Sequence, residues 1–208
     1  MENKALEFDE IASNVFAPIY PVIAKQIVES TGIIRGKCLD LGSGGGHLGI
    51  ALAQATDLHV SLLDCSFDAI QLAEKRIKGL QLTGRVDLCQ GDVHQMSFEN
   101  ESFQLIVSRG SVWFWEDHRK AFGEIRRLLE PGGKAYIGGG FGTEALRRDI
   151  VTTMSGREPD WENRVKGYRG RHTGESMVAT LTDLGIERNC IKIIDNESGL
   201  WILFAKKE

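Results

Sequence analysis

The sequence has little of what marks a secreted, membrane-spanning or metal-binding protein. Its four cysteines are too far apart for a CxxC redox pair or a zinc knuckle. A metal site built in space from Cys65 and Cys89 has no support from ligand spacing, so no metal is expected. The N-terminal residues carry acidic side chains and no apolar centre, unlike a signal peptide. No apolar run approaches the roughly 20 residues that span a membrane, and we expect a cytoplasmic protein with reduced thiols.

An excess of basic residues is also missing. The chain holds 25 Lys and Arg against 29 Asp and Glu, for a net charge of −4, whereas nucleic-acid binders usually carry a basic face. We therefore expect neither a nucleic-acid partner nor a membrane. With 208 residues, of which 42% are hydrophobic, the chain is long enough for one domain with a sizeable core, over residues 1–208. Nothing in the composition indicates an oligomeric state.

What the sequence does contain is a turn made almost entirely of glycine, within Lys37–Gly49. The apolar segment Cys38–Leu41 precedes the turn and includes one acidic residue, Asp40, while an apolar helical pattern begins at His47. This order predicts a strand, a tight turn and a helix. A turn with so few side chains lets a ligand approach the backbone closely, and the amides at the helix start favour negative or electron-rich groups. Dinucleotides and S-adenosylmethionine both bind to turns of this kind.

Strand and helix patterns then alternate along the rest of the chain. This alternation is typical of a mostly parallel sheet with helices on both faces, and two closing strands with a short polar connection predict an antiparallel hairpin. We therefore predict an α/β, Rossmann-like doubly wound sheet of seven strands, mostly parallel with an antiparallel last strand. The predicted strands are Cys38–Leu41, His59–Asp64, Arg85–Gln90, Phe103–Ser108, Lys134–Gly138, Cys190–Ile194 and Leu200–Ala205.

Two segments outside this alternation are candidates for lids. Residues 1–36 have a helical pattern that places Phe16 and Tyr20 on one apolar face, which indicates either a packing helix or a lid that touches a ligand. Residues 156–172 are polar and basic and include Trp161 and Tyr168. This insert is either a substrate lid or a solvated loop.

The glycine spacing separates the two ligand classes. A dinucleotide turn needs G-x-G-x-x-G directly after the strand. Counted from Gly42, the last position of that pattern falls on His47, so the pattern fails. Counted from Gly44, the G-x-G-x-x-G pattern is present, but it then starts two residues further from the end of the strand. A nucleotide-dependent oxidoreductase is therefore an alternative, although the spacing does not favour it.

The order Asp40-x-Gly42-x-Gly44-x-Gly46 instead resembles the first motif of the class I S-adenosylmethionine-dependent methyltransferases. Two later features occur in the order that this family has, namely Gly91-Asp92-Val93 after the third strand and the L-x-P-G-G turn that begins at Leu129. The resemblance covers about residues 37–142, the predicted cofactor-binding core, and is nearest to small-molecule methyltransferases of the ubiquinone-biosynthesis type. It implies methyl transfer from S-adenosylmethionine to a small-molecule acceptor, or, as an alternative, cofactor binding without methyl turnover.

The resemblance also implies a set of cofactor-binding residues at the ends of the strands. Asp64 ends the second strand, where a carboxylate can accept both ribose hydroxyls, and the family uses an acidic side chain at the position of Asp92 to read adenine. A capping or turn role is the alternative for both. The full predicted set is Asp40, Gly42, Ser43, Gly44, Gly46, Asp64, Cys65, Asp92, Val93, Ser108 and Arg109.

The acceptor is expected beyond the fourth strand, from Arg109 to His118. Thiolate and amine nucleophiles need little more than orientation, whereas a hydroxyl or carbon nucleophile usually needs a general base. The candidates for catalysis are therefore His118, as a base, and Arg109, as a partner for an anionic group. The alternatives are a surface histidine and an arginine paired with a neighbouring acid. Ser108-Arg109-Gly110-Ser111 replaces the N-P-P-[YFW] signature of enzymes that methylate DNA bases or glutamine, which disfavours those substrates.

Overall fold

The computed structural model of the chain describes residues 2–171 and 173–207, and within them seven strands form one sheet. From one edge to the other the order is β3-β2-β1-β4-β5-β7-β6, and β7 runs antiparallel to both of its neighbours. The predicted topology is therefore confirmed. The strands are β1 (Arg35–Leu41), β2 (Asp57–Asp64), β3 (Val86–Gln90), β4 (Phe103–Arg109), β5 (Leu129–Gly140), β6 (Ile191–Asn196) and β7 (Gly199–Ala205).

Helices cover both faces of the sheet, and several begin at a side chain that caps them. Ser66, Asp117, Thr143 and Thr173 each accept a hydrogen bond from a backbone N–H three residues further along, which satisfies one of the first-turn amides. The helices are α1 (Glu2–Asn14), α2 (Ile19–Thr31), α3 (His47–Ala55), α4 (Phe67–Gly79), α5 (His118–Leu128), α6 (Glu144–Arg157), α7 (Trp161–Arg171) and α8 (Gly174–Asp183), with short 3₁₀ turns at Ser111–Phe114 and Arg188–Cys190.

The centre of the sheet is buried on both faces. In β4, Leu105 and Val107 join the hydrophobic cluster that includes α2 and α3, whereas Ile106 joins the cluster that includes α5 and α8. All three are fully buried, which explains the continuous apolar pattern of this strand. Because every parallel strand runs in the same direction, the carboxyl ends of β1 to β4 meet at one edge, where ligands of such sheets usually bind.

The N-terminal segment consists of two helices rather than one. The chain breaks between α1 and α2, and Pro18 takes the N-cap position of α2, because proline suits a helix start but not a helix interior. Phe16 and Tyr20 are both buried. No single helix of the described residues is long and apolar enough to cross a membrane. The helical segments Ala5–Asn14 and Ile19–Thr31 reach that length and apolar composition only when they are taken together, and a bend of 79° separates them.

The insert predicted at residues 156–172 is helical over most of its length and is not an extended solvated loop. It comprises the end of α6 and all of α7, while His172 lies outside the described residues. Trp161 anchors α7, because its side chain is buried and its ring lies 6.4 Å from that of Phe16 and 6.1 Å from that of Phe141. Burial of one large aromatic ring fixes a helix whose other side chains are mostly polar.

Candidate functional site

The glycine turn connects β1 to α3 at the carboxyl edge of the sheet. Gly42, Gly44 and Gly46 all have positive φ angles, of +61°, +54° and +82°, which other residues rarely adopt. A Cβ atom on Gly42 would also overlap the side chain of Ser111. The turn lies against the next strand, because the Ser43 N–H donates to the Leu63 carbonyl at 3.0 Å. All three glycines therefore serve the backbone path, and Gly42 and Gly46 are also closely packed.

Asp40 lies beneath the turn as a buried carboxyl group. Its Oδ2 accepts the Gly49 N–H at 2.9 Å, so the side chain joins the end of β1 to the first turn of α3. Burial raises the pKa of Asp40 to about 7, against the opposing effect of the Gly49 hydrogen bond and with a further increase from the charge of Asp64. A carboxyl group that titrates near neutrality can accept a hydrogen bond from a cationic ligand group and become fully ionised beside it.

Asp64 holds the turn to the end of β2. Its Oδ2 accepts the Gly44 N–H at 2.8 Å and its Oδ1 accepts the Ser66 N–H at 2.9 Å. The carboxylate is half-buried, and the adjacent Cys65 is exposed. The structure thus brings Asp64 to the glycine turn, and its capping role coexists with its position at the candidate site.

Asp92 lies further along the same edge, beyond the end of β3. Its Oδ1 accepts the backbone N–H of His94 at 2.9 Å and the ring Nδ1–H at 2.6 Å. The backbone hydrogen bond is the main reason why the pKa of Asp92 lies below its ordinary value. His94 Nε2 in turn accepts the Asp117 N–H at 3.2 Å, which links this loop to the start of α5. The side chain of Asp92 is 63% exposed and Val93 is buried.

Ser108 and Ser111 connect the ends of β1 and β4. Ser108 is fully buried, and its Oγ lies 2.6 Å from the Oγ of Ser111. Ser111 Oγ donates to the Leu41 carbonyl at 2.9 Å and accepts the Trp115 Nε1–H at 3.2 Å. Sequence reasoning missed Ser111, since a single serine after a strand carries no pattern that distinguishes it.

Arg109 follows Ser108 and is surrounded by aromatic rings. Its guanidinium carbon lies 4.9 Å from the ring centroid of Phe16, 5.7 Å from that of Tyr20 and 5.8 Å from that of Phe141. Burial lowers the pKa of Arg109 from its ordinary value, although such a group remains protonated. Its hydrogen bonds to protein go from Nε and Nη2 to the Gly140 carbonyl, both at 3.3 Å.

Asp40, residues of the glycine turn and Arg109 line a small cavity of about 40 Å³. The other predicted residues lie outside its lining, namely Gly46, Asp64, Cys65, Asp92, Val93 and Ser108. Ser43 Oγ is buried in its wall and has no hydrogen-bond partner among the described residues, which suits a polar ligand because unpaired buried hydroxyls are costly. The glycine cradle and the nearby carboxyl group of Asp40 fit the polar end of such a ligand. The lining residues are Phe8, Tyr20, Asp40, Gly42, Ser43, Gly44, Gly45, His47, Leu48 and Arg109.

Helix α1 closes the cavity through Asp9. The Asp9 carboxylate accepts hydrogen bonds from Arg76 Nη2 at 2.9 and 3.1 Å and lies 3.0 Å from His47 Nε2. Burial alone would raise the pKa of Asp9, but the hydrogen bonds to His47 and Arg76 hold it below its ordinary value. Arg76 also donates to the Gly45 carbonyl, so that α1, α4 and the glycine turn are joined at one point. Sequence reasoning missed this cluster, which we call the Asp9 latch.

His118 does not line the cavity. Its Nε2 lies 2.8 Å from the Val112 carbonyl and therefore donates to it, and its ring packs near those of Trp115 and Phe122. This position ties the start of α5 to the 3₁₀ turn after β4. Among the residues that the structure describes, no group of three or more His, Cys, Asp or Glu side chains could hold a metal ion.

Comparison with known proteins gives a consistent result. Residues 38–133 match the family described as "Methyltransferase domain". A solved structure from Methanococcus maripaludis, described as a putative S-adenosyl-L-methionine-dependent methyltransferase, is 42% identical, with a TM-score of 0.95 over 100% of this chain and 94% of that one.

Two curated relatives are more distant. The "Uncharacterized methyltransferase YdaC" of Bacillus subtilis is 26% identical over 88% of this chain and 92% of its own length. The "Ubiquinone/menaquinone biosynthesis C-methyltransferase UbiE" of Pseudoalteromonas translucida is 25% identical over 64% of this chain. The matched region is 54% of the length of UbiE.

Proposed function

The chain belongs to the S-adenosylmethionine-dependent methyltransferases, and on that premise we propose that it methylates a small-molecule acceptor at the carboxyl edge of its sheet. It is an enzyme of this family with S-adenosylmethionine as its methyl donor. The observation that carries the proposal is that Asp40, Asp64 and Asp92 lie at or just beyond the carboxyl ends of three adjacent parallel strands, with Asp64 bonded to the glycine turn. The similarity to a methyltransferase of ubiquinone and menaquinone biosynthesis supports a small acceptor.

Each strand end is assigned a part of the cofactor. The glycine turn with Ser43 and Asp40 would hold the methionyl end, where the unpaired Ser43 hydroxyl and the Asp40 carboxyl group are available. Asp64 would accept the ribose hydroxyls, with Cys65 beside it. Asp92 and Val93 would flank the adenine, the first through its exposed carboxylate and the second through its apolar surface.

The chemistry makes modest demands on the protein. The cofactor supplies an activated methyl group, which passes to the acceptor nucleophile as the methyl–sulfur bond breaks and the bonding electron pair returns to sulfur. The protein's contribution is to orient the nucleophile in line, which is worth about 7–11 kcal/mol in well-oriented systems. The described ionisable side chains that line the cavity are Tyr20, Asp40, His47 and Arg109, and none of them is assigned as a base for the acceptor.

Helices α1 and α2, together with α7, are proposed to act as a lid. Small-molecule sites usually enclose about 300–1,000 Å³, whereas the cavity at the glycine turn has about 40 Å³. The cofactor can therefore enter only when a covering element moves. Helix α1 is the best candidate, because Phe8 on α1 lines the cavity and Asp9 holds this helix to α4.

Calorimetry and a turnover assay test the proposal together. We expect S-adenosylhomocysteine to bind the protein and NAD not to bind, because the glycine spacing fails the dinucleotide pattern. Release of S-adenosylhomocysteine from S-adenosylmethionine is then followed with a panel of thiol, amine, hydroxyl and carbon acceptors. Absence of S-adenosylhomocysteine binding contradicts the cofactor assignment. Binding without product from any acceptor class would support a cofactor-binding protein without turnover.

A further inference from the structure

Arg109 has hydrogen-bonding capacity that the described residues do not use. A guanidinium group has five N–H donors, and both recorded hydrogen bonds of Arg109 go to one acceptor, the Gly140 carbonyl. No described Asp or Glu side chain forms a salt bridge with it. A half-buried cation without an anionic partner is unfavourable in the low dielectric of a cavity wall, so the group is well placed to receive an anion from outside the protein.

The aromatic rings around Arg109 hold it in place. Phe16 and Tyr20 are both buried; Phe16 lies in the connection between α1 and α2, Tyr20 lies in α2, and Phe141 follows β5. Trp161 of α7 packs against both phenylalanines from behind. Cation–π contacts restrict the orientation of the guanidinium plane. A guanidinium group that is already fixed loses less entropy than a mobile one when it binds an oxyanion through two parallel hydrogen bonds.

These rings belong to segments outside the region that matches the methyltransferase family. The match covers residues 38–133, which includes Arg109 but none of the four aromatic residues. Cofactor binding is assigned to the matched region, whereas the aromatic residues that surround Arg109 lie in segments on either side of it. Residues in these flanking segments are suited to contact the acceptor.

We propose that Arg109 is the anion-binding residue of the acceptor subsite and that the methyl acceptor is a small molecule with a carboxylate or phosphate group. The inference rests on the proposed function and deepens it. The cofactor carboxylate has another candidate site, since the first-turn amides of α3 lack intrahelical partners. The donor sulfonium is also positive, so a second cation in the same crevice is stabilised when the acceptor contributes a negative charge.

The test is a titration of the protein saturated with S-adenosylhomocysteine. Benzoate and phenyl phosphate are the two anionic probes, which distinguish carboxylate from phosphate recognition, and benzamide is the neutral probe. We expect at least one anion to bind and benzamide not to bind. We expect Arg109→Gln to weaken anion binding at least tenfold and Arg109→Lys to weaken it less, each measured at a concentration of S-adenosylhomocysteine that saturates the variant.

The matched control is Arg119→Gln, since Arg119 is exposed and pairs with Asp183 at 3.6 Å; it should bind the anion as wild type does. The proposal is overturned if neither anion binds, or if Arg109→Gln leaves anion binding unchanged. It is also overturned if this variant loses tenfold in affinity for S-adenosylhomocysteine but not for decarboxylated S-adenosylmethionine, because Arg109 then serves the cofactor carboxylate. Each of these results leaves the proposed function standing, which fails only if the wild type does not bind S-adenosylhomocysteine.

Discussion

The Asp9 latch predicts how fast the cofactor site opens. Asp9 is the central acceptor of the cluster, and its side chain is 13% exposed, against 22% for Arg76 and 12% for His47. Asp9→Asn keeps the size of the side chain but removes the charge that Arg76 binds. A hydrogen bond to a charged group contributes about 1.5–3 kcal/mol, and each 1.4 kcal/mol is about tenfold in an equilibrium constant. We therefore expect the open population to rise about tenfold to a hundredfold.

The open population is measured through the rate of S-adenosylhomocysteine association in a stopped-flow experiment, with tryptophan fluorescence as the signal. When opening precedes binding, the observed association rate scales with the open fraction, so Asp9→Asn should associate at least tenfold faster than wild type. Glu10→Gln is the matched control on the same helix, because among the described residues Glu10 pairs with Arg157, at 3.9 Å, and with no member of the latch. Arg76→Gln should increase the association rate as Asp9→Asn does. The double variant should be little faster than either single variant, since both changes break the same Asp9–Arg76 interaction.

The latch should also depend on pH in a defined direction. The pKa of Asp9 is lowered in the folded protein, so its stabilisation is present above the ordinary pKa of 3.8 and is lost as the pH falls through the folded value. Asp9 should therefore stay ionised from about pH 5 to 8, so its own titration should not change the rate ratio between Asp9→Asn and wild type in this range. Association rates that agree within twofold for Asp9→Asn and wild type in this range would refute the latch.

Three further variants test other parts of the site. Asp64→Ala should weaken S-adenosylhomocysteine binding at least tenfold in calorimetry, since hydrogen bonds from ribose hydroxyls to a carboxylate contribute about 1.5–3 kcal/mol each; an unchanged affinity contradicts the ribose assignment. Burial raises the pKa of Asp40 from 3.8 to about 7 in the folded protein. The free energy of unfolding therefore has its full value below about pH 4 and decreases, by about 4 kcal/mol in all, as the pH rises through 7 and this group ionises. The melting temperature of Asp40→Asn should therefore rise relative to wild type between pH 5 and pH 8, and a pH-independent difference contradicts this account. Ser111→Ala should lower the free energy of unfolding in urea by about 1–3 kcal/mol, because it leaves the Leu41 carbonyl and the Trp115 Nε1–H unpaired; no loss of stability would show that water replaces the hydroxyl.

Local patterns were enough to predict the sheet and to place the candidate cofactor residues at one edge of it. The order from Cys38 through the glycine turn to His47 is contiguous, and strand direction alone brings Asp64 and Asp92 to the same edge. The insert was harder to predict, because α7 is polar along most of its length and only Trp161 anchors it. A single buried aromatic residue gives no periodic signal.

The long-range polar contacts could not be predicted in this way. Asp9 is 38 residues from His47 and 67 from Arg76, and each of the three, taken alone, resembles an ordinary solvated helix residue. The latch becomes evident only when the fold brings α1 over the glycine turn.

Arg109 shows why the acceptor is harder to predict than the cofactor. The sequence identified it as a candidate for binding an anion, but an arginine after a strand pairs equally well with a neighbouring acid. What distinguishes the two alternatives is its surroundings, where Phe16, Tyr20 and Phe141 contact it and no described carboxylate does. These three residues come from chain segments on either side of the family match at 38–133. The residues that enclose the guanidinium thus lie in other chain segments than the glycine turn and the strand-end acids, so the cofactor motif carries no information about the acceptor.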